Sequence, residues 1–524
     1  MRAFLLLGAA LAGVAACSLS QEGVMPPADT LFFPSSAVMQ PDGDWLYVAN
    51  SNADLRFNDG TVLVMNVGED RTVATDSGPV TLRGAASDRA RPSDWAVCPQ
   101  QDYVYPLPRS TPPTCCWDAL DSNILNCDER LYVEADATVR IGSFASGMVW
   151  QPNCKSPCDV GCTADPNGSR LIIGVRGDTS VTWVDVVPPG DGPHPGLRCR
   201  QDGAGGTLAE CTQKVTETTS VLFSQSGDPN APSVGLPDEP FALALDQLHG
   251  LLYVGALVGN TSVVASGGIS LFDVSETGLP SVAGFPPAPK FIAPFNSPFP
   301  PNGAGNFGVT ALSMHAPLGT PPLGPQELFV SSRYVPQIAT MVPFLSGNQN
   351  STTWNCAPAS DVVLLGGSDS LSSGLVGSEM RGVAIIDPPD SSDQPQRAFA
   401  LQRVPPDLIS YDIARNASGA LTVRTSALLE TCSSPTYLYH QGTRLYVNCF
   451  DTGEIYVFDA TIPTLLTSFQ VGRGPAGMVF DPKLPVAYVL NFTQNDIAVV
   501  DLAPGSPTED HVIQRIGFPT ITPR

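Results

Sequence analysis

One unit of sequence returns along this chain and limits what it can fold into. It is an apolar strand, a tight turn, a second apolar strand, a polar turn and a third strand. It is clearest near the C-terminus, in Gly474-Pro-Ala-Gly-Met-Val-Phe-Asp-Pro482, Val486-Ala-Tyr-Val-Leu-Asn491 and Asn495-Asp-Ile-Ala-Val-Val-Asp501, with a fourth strand at His511-Val-Ile-Gln-Arg-Ile516. The alternation and the β-branched residues are those of strands, and Asp481-Pro482 and Asn495-Asp496 mark the reversals. The preceding copy is Pro435-Thr-Tyr-Leu-Tyr-His440, Arg444-Leu-Tyr-Val-Asn-Cys449 and Gly453-Glu-Ile-Tyr-Val-Phe-Asp459.

Further copies start at Ser36, Ser146 and Pro240, with second strands Asp44-Trp-Leu-Tyr-Val-Ala-Asn50, Arg170-Leu-Ile-Ile-Gly174 and Leu251-Leu-Tyr-Val-Gly255. Weaker ones lie at Val309-Thr-Ala-Leu-Ser-Met314 with Glu327-Leu-Phe-Val-Ser331, and around Arg381-Gly-Val-Ala-Ile-Ile-Asp387, where Asp387 reads as closing a third strand. That makes about seven repeats. A unit of three or four strands cannot bury both its faces alone, and radial packing around a channel solves this. The expected fold is all-β: a β-propeller of seven blades of four antiparallel strands. Leu-Tyr-Val-Ala-Asn at Leu46 to Asn50, Tyr-Val-Leu-Asn at Tyr488 to Asn491 and the closing hydrophobic-Asp pairs resemble the YVTN-repeat β-propeller family. That resemblance implies a seven-bladed propeller, usually exported. The copies at Leu171 and Leu252 lack the Asn.

Blade spacing is uneven. Excess sequence near 83–134, 188–235 and 279–304 reads as loops inserted on a single propeller domain spanning 31–524. Loops of that size are either functional or lineage-specific decoration.

The N-terminus gives an address. Met1-Arg2 and the apolar run Ala3 to Ala16 are too short for a spanning helix and read as a removed signal, residues 1–16. Val14-Ala15-Ala16-Cys17 resembles the lipobox of bacterial lipoproteins, which implies acylation of Cys17 and a lipidated tether over 17–30. An ordinary cut at an Ala-x-Ala site, with Cys17 incidental, is the alternative. Ser18 rather than Asp after Cys17 implies, by the same resemblance, the outer membrane.

Setting Cys17 aside leaves an even number of cysteines, as expected of disulfides in an exported protein. They fall in clusters: Cys98, Cys115, Cys116 and Cys127; Cys154, Cys158 and Cys162; Cys199 and Cys211; then Cys356, Cys432 and Cys449. Cys199 with Cys211 and Cys432 with Cys449 are the expected local pairs. A metal at Cys154, Cys158 and Cys162 is the competing reading, but their spacing matches no common cluster or zinc pattern.

The net charge of −23 argues against nucleic-acid binding, which needs basic surface, and against electrostatic docking on anionic lipid. The expected membrane contact is the lipid. The five histidines, His194, His249, His315, His440 and His511, show no metal-ligand spacing. Asp42-Gly-Asp44 reads as a tight turn rather than a calcium loop, and the closing acids read as acceptors for turn amides. No catalytic residue, cofactor or metal is expected. The expected function is a binding or scaffold module for a protein or glycan at the cell envelope. The alternative is a lactonase-like or quinone-dependent dehydrogenase-like enzyme with a site at the channel mouth.

Overall fold

The computed structural model describes residues 23–68, 72–75, 78–81, 97–98, 113–152, 169–189, 192–199, 208–212, 214–216, 239–246, 251–257, 269–273, 290–292, 308–315, 327–333, 338–345, 358–363, 378–388, 395–415 and 421–517. Cys17 and the signal, Cys154, Cys158, Cys162, Cys356, His249 and most of the 279–304 segment lie outside the described residues.

The apolar repeats fold into seven sheets of four or more strands. Sheet one is Pro34–Met39, Trp45–Asn50, Gly60–Asn66 and Val139–Ile141, with Ala209–Glu210 added in parallel. Sheet two is Ala145–Gln151, Ser169–Val175 and Ser180–Val187, its outer edge shared by Gly196–Arg198 and Lys214–Thr216. Sheet three is Pro240–Asp246, Leu251–Ala256, Ile269–Asp273 and Lys290–Ile292; sheet four is Val309–His315, Glu327–Ser332, Ile338–Leu345 and Pro358–Val363. Sheet five is Ser378–Ile386, Gln396–Val404, Asp407–Arg415 and Leu421–Glu430; sheet six is Pro435–Gln441, Arg444–Cys449, Glu454–Asp459 and Thr464–Gln470. Sheet seven is Pro475–Phe480, Val486–Asn491, Asp496–Asp501 and His511–Ile516.

The first strand of each sheet packs on the first strand of the next, and that of sheet seven packs on that of sheet one. This cyclic arrangement is a β-propeller. Its ring closes chiefly through side-chain packing, because among the described residues neighbouring first strands share no ladder of backbone hydrogen bonds. The core is accordingly a set of layers between adjacent sheets. Side chains alternate across a strand, so Leu46 and Val48 enter the layer between sheets one and seven, while Tyr47 and Ala49 enter the layer between sheets one and two. Burial on both faces explains why second strands read as unbroken apolar runs, Trp45–Asn50 and Val486–Asn491 being buried throughout.

The segments read as loop insertions are partly outer strands. Gly196–Arg198, Lys214–Thr216 and Lys290–Ile292 complete sheets two and three. Runs of three residues carry too little alternation to be seen in sequence. The segment after sheet one's third strand crosses to sheet seven. There Leu125–Cys127 pairs in parallel with His511–Ile516, and Cys115–Trp117 pairs with Leu125–Cys127. The chain then returns to sheet one at Val139. This clasp joins the first sheet to the last. Cys115 is bonded to Cys127 and Cys98 to Cys116 within it. Asp387 follows the first strand of sheet five and does not close a third strand; the repeat around it was misaligned because its second strand, Gln396–Val404, lacks the Leu-Tyr-Val core. The described half of the 17–30 segment lies on sheet one rather than free: Thr30 O accepts from Asn50 and Ala28 O from Thr138.

Candidate binding site at one mouth of the channel

All seven first strands begin at the same mouth, and each opens with the same device. The residue ahead of the strand, or in sheet five the second residue of the strand, is left-handed in six sheets: Phe33, Phe144, Glu239, Gly308, Glu379 and Gly474 have φ between 45° and 66°. Ser434 holds the same place in sheet six. In six sheets the carbonyl at this place accepts the N–H of the residue that follows the sheet's second strand. The donors are Ser51, Arg176, Leu257, Arg333, Phe450 and Phe492. Register places Arg403 at the corresponding position of sheet five, because Gln402 pairs with Met380 as Ser332 pairs with Val309.

A β-bulge then follows in every sheet, leaving Ser35, Ser146, Phe241, Thr310, Arg381, Thr436 and Ala476 unpaired. Bulges re-aim a side chain out of the ladder. Two of the hydroxyls stitch adjacent sheets: Ser146 Oγ donates to Pro240 O at 2.8 Å, and Thr310 Oγ1 donates to Met380 O. In sheet five the bulge carries an arginine instead.

The next position is small in six sheets, because neighbouring first strands meet there. A Cβ on Gly147 would stand 2.9 Å from Phe241 O, and one on Gly382 2.6 Å from Leu438 Cβ. Sheet six has Tyr437 at this place. The result is a cavity of about 230 Å³ just inside the mouth, with Phe241, Tyr437, Tyr439, Met148 and Met478 among its walls.

The rim divides by chemistry. Over sheets two to five, among the described residues, it carries four arginines and two glutamates. Arg176 Nη2 meets Glu239 Oε2 at 2.8 Å, and its guanidinium lies 5.8 Å from the Phe241 ring centroid. Glu379 receives Arg333 Nε at 3.2 Å and Arg381 Nη2 at 3.2 Å, with Arg403 Nη1 at 3.7 Å. The Nε groups of Arg176 and Arg381 are buried without a hydrogen-bond partner. Burial works against the charge of Glu379, but Arg381 and Arg333 hold its carboxyl below the usual range. Burial pulls the Arg381 guanidinium below its ordinary value, with repulsion from Arg403 and Arg333 acting the same way. Burial pushes the Tyr437 phenol up, while Arg381 and Arg176 pull against it. Over sheets six, seven and one the rim is aromatic. Phe33 and Phe492 meet edge-on at 5.2 Å between ring centres, and Phe450 lies 6.1 Å from Phe492.

The asparagines of the repeat hold this rim in place. Asn50 accepts Phe32 N–H at 3.1 Å and donates to Thr30 O, and Asn491 donates to Val471 O at 2.9 Å. In sheet six Cys449 takes the asparagine's register and is bonded to Cys432 in the loop before the first strand. A covalent bond there does the work of the amide.

The opposite mouth collects the ends of the first strands. His315 Nε2 lies 3.0 Å from Asp387 Oδ2, and Gln396 Nε2 donates to Asp387 Oδ1 at 2.8 Å. Burial lowers the pKa of nearby His440, and His315 adds to the effect.

Other residues singled out from the sequence are dispersed. Cys199 is bonded to Cys211 beside sheet two. Asp42-Gly-Asp44 forms a tight turn closed by Gly43 N–H to Gln40 O at 2.8 Å. Asp459 and Asp501 accept turn amides, from Thr461 and Ala503. His194 Nε2 lies 3.2 Å from Asp136, away from the channel, and Glu134 completes a group there able to hold a cation. His511 Nδ1 lies against Glu509 O. Sequence reading missed the rim arginines. They are far apart in the chain, and only alignment on the end of the second strand would have stacked Arg176, Arg333 and Arg403.

No protein-family profile matches the chain, and no curated protein is similar to it. Solved structures with a similar trace include the β-propeller domain of Cps50 (Swd1) from Myceliophteria thermophila, 8% identical over 89% of this chain and 96% of that one, with a TM-score of 0.42. A 6-phosphogluconolactonase-like protein from Bacteroides uniformis is 12% identical over 74% of this chain and 90% of its own, with a TM-score of 0.41. Sqt1 from Saccharomyces cerevisiae is 10% identical over 89% and 95%, with a TM-score of 0.36.

Proposed function

We propose that this chain is an exported, lipid-anchored, seven-bladed propeller that works as a binding module for a protein or glycan at the cell envelope, and that the partner is engaged at the arginine and phenylalanine mouth. The observation that carries the reading is positional. One structural position, repeated around the ring, holds arginine in sheets two, four and five and phenylalanine in sheets six and seven. Neither residue is needed there to form the sheet, since Ser51 and Leu257 serve elsewhere. Arginine and aromatic side chains around a concave apolar wall are what recognition sites use.

Arrays of glycans and envelope proteins probed with the whole protein test this. Retention is expected on a defined ligand, with at least a tenfold loss in Phe450→Ala/Phe492→Ala. Undiminished retention in that variant contradicts the assignment. The enzyme alternative has one observation in its favour, the His315–Asp387 pair at the other mouth. Hydrolysis of a lactone, or oxidation of an alcohol with a quinone as electron acceptor, that disappears in His315→Ala would support it over binding.

For the anchor, mass spectrometry of the mature N-terminus is expected to find a diacylglycerol thioether and an amide-linked acyl chain on Cys17. An unmodified N-terminal residue contradicts it.

A further inference from the structure

We infer that the mouth is built for a small organic anion, an oxyanion joined to an apolar body, with the oxyanion held by Arg381 and Arg403 and the apolar body set against Phe241 and Tyr437. This rests on the reading of the mouth as a binding site and names the chemistry of its ligand.

Charge distribution comes first. The chain carries a net −23, yet among the described residues this rim over sheets two to five has four arginines against two glutamates. A local reversal of sign inside an acidic protein focuses anions on one spot. Next comes an unfilled donor. Three guanidinium groups share the single carboxylate of Glu379, Arg403 Nη2 also donates to Ser434 Oγ at 3.0 Å, and the buried Nε of Arg381 has no partner. A buried donor without an acceptor costs free energy that an incoming oxyanion recovers. Arginine rather than lysine fits the planar, two-point recognition of carboxylate or phosphate.

The backbone supports the same reading. Arg381 sits at the bulge where other sheets place Ser, Thr, Phe or Ala, so its side chain leaves the ladder at the mouth. The cavity beneath, about 230 Å³, is smaller than the roughly 300–1,000 Å³ of drug-sized sites. It suits a single ring or short chain. Glu379 is then an internal stand-in for the ligand: it keeps the arginines in place and must share them when an anion arrives.

Titration calorimetry on the whole protein tests this with four probes: phenylacetate, phenyl phosphate, phenylethanol and inorganic phosphate. Either or both aromatic anions should bind, and which of them binds tighter identifies the oxyanion as carboxylate or phosphate. Neutral phenylethanol and inorganic phosphate should each bind at least about tenfold more weakly than the better one. Binding should weaken with added salt. Arg381→Gln and Arg403→Gln should each cost about tenfold or more, with unchanged melting curves confirming the fold. Glu379→Gln should tighten binding several-fold, a gain that misfolding cannot imitate. Equal binding of phenylethanol, no heat from either aromatic anion, or a loss of affinity in Glu379→Gln overturns the inference. If the anions fail while Phe450→Ala/Phe492→Ala still abolishes partner retention, the ligand chemistry is wrong and the mouth assignment stands. If both fail, the mouth assignment falls too.

Discussion

Arg515→Ala is expected to destabilise the protein by about 3–5 kcal/mol at neutral pH, because it leaves a buried carboxylate without its cation. Asp496 is fully buried in sheet seven. Its Oδ1 accepts from Asn491 Nδ2 at 2.7 Å, its Oδ2 from Gln494 Nε2 at 2.8 Å, and Arg515 Nη1 lies 3.3 Å from Oδ2. The same Nη1 also donates to Val471 O. Burial already raises the Asp496 pKa, and Arg515 opposes that rise. Removing Arg515 lifts the folded-state value further above the unfolded one. The penalty is therefore full at neutral pH and fades as pH falls and Asp496 takes up a proton in both states. Thermal melts of Arg515→Ala should show a gap from the wild type that narrows toward about pH 4. Asp496→Asn/Arg515→Ala should recover part of the loss and be insensitive to pH over the same range. A pH-independent gap for the single variant would mean that Asp496 is not the charge responsible.

The second large effect concerns the clasp. Cys115→Ser/Cys127→Ser opens a loop with a sequence separation of 12. Chain entropy alone assigns such a loop about 3 kcal/mol. The loss reaches beyond the loop, because Leu125–Cys127 is the strand by which a segment of sheet one's chain lies on the outer edge of sheet seven. Gln514 Nε2 donates to Tyr132 Oη and lies 3.5 Å from Cys127 Sγ, so the clasp and the last strand share a buried polar contact. The expected result is a lower melting temperature and early proteolytic cleavage between 99 and 128. Melting within about 1 kcal/mol of wild type, with no new cleavage, would make the clasp decoration rather than a closure.

The two predictions address the same seam. A ring held mainly by packing between sheets is weakest where its first and last sheets meet, because their first strands are at opposite ends of the chain. Here the joint has Phe33 N–H donating to Asn495 Oδ1 at 2.7 Å near the mouth, and the clasp on the outside. The layer between sheets one and seven also contains clasp residues, Leu125, Cys127, Tyr132 and Val133.

How much of this was legible in the sequence depended on burial. Second strands such as Leu46 to Asn50 and Val486 to Asn491 are buried on both faces, so their composition announces them. Outer strands are not constrained in that way. Thr464–Gln470 is largely exposed and keeps a mixed sequence, and Gly196–Arg198 is too short to show a period. Asp387 is misplaced for a different reason: Gln396–Val404 is buried but packs with Ala398, Phe399, Ala400 and Leu401, which lack the aromatic-valine mark of most other repeats. The rim was hidden more deeply. Arg176, Arg333 and Arg403 become equivalent only through backbone register, and Arg381 becomes exceptional only when the bulges are compared. The aromatic half was no easier, since Phe33, Phe450 and Phe492 each look like an ordinary apolar residue next to a strand.

The central claim is that the partner meets one mouth of the ring and not the other. Photo-crosslinking in the native envelope tests it most directly, with a photoreactive side chain at Phe492 on the arginine and phenylalanine rim or at Gln40 by the opposite mouth. A discrete adduct from position 492, competed away by excess free ligand and absent from position 40, is the result this account predicts. Adducts from position 40 alone, or equally from both, would contradict it.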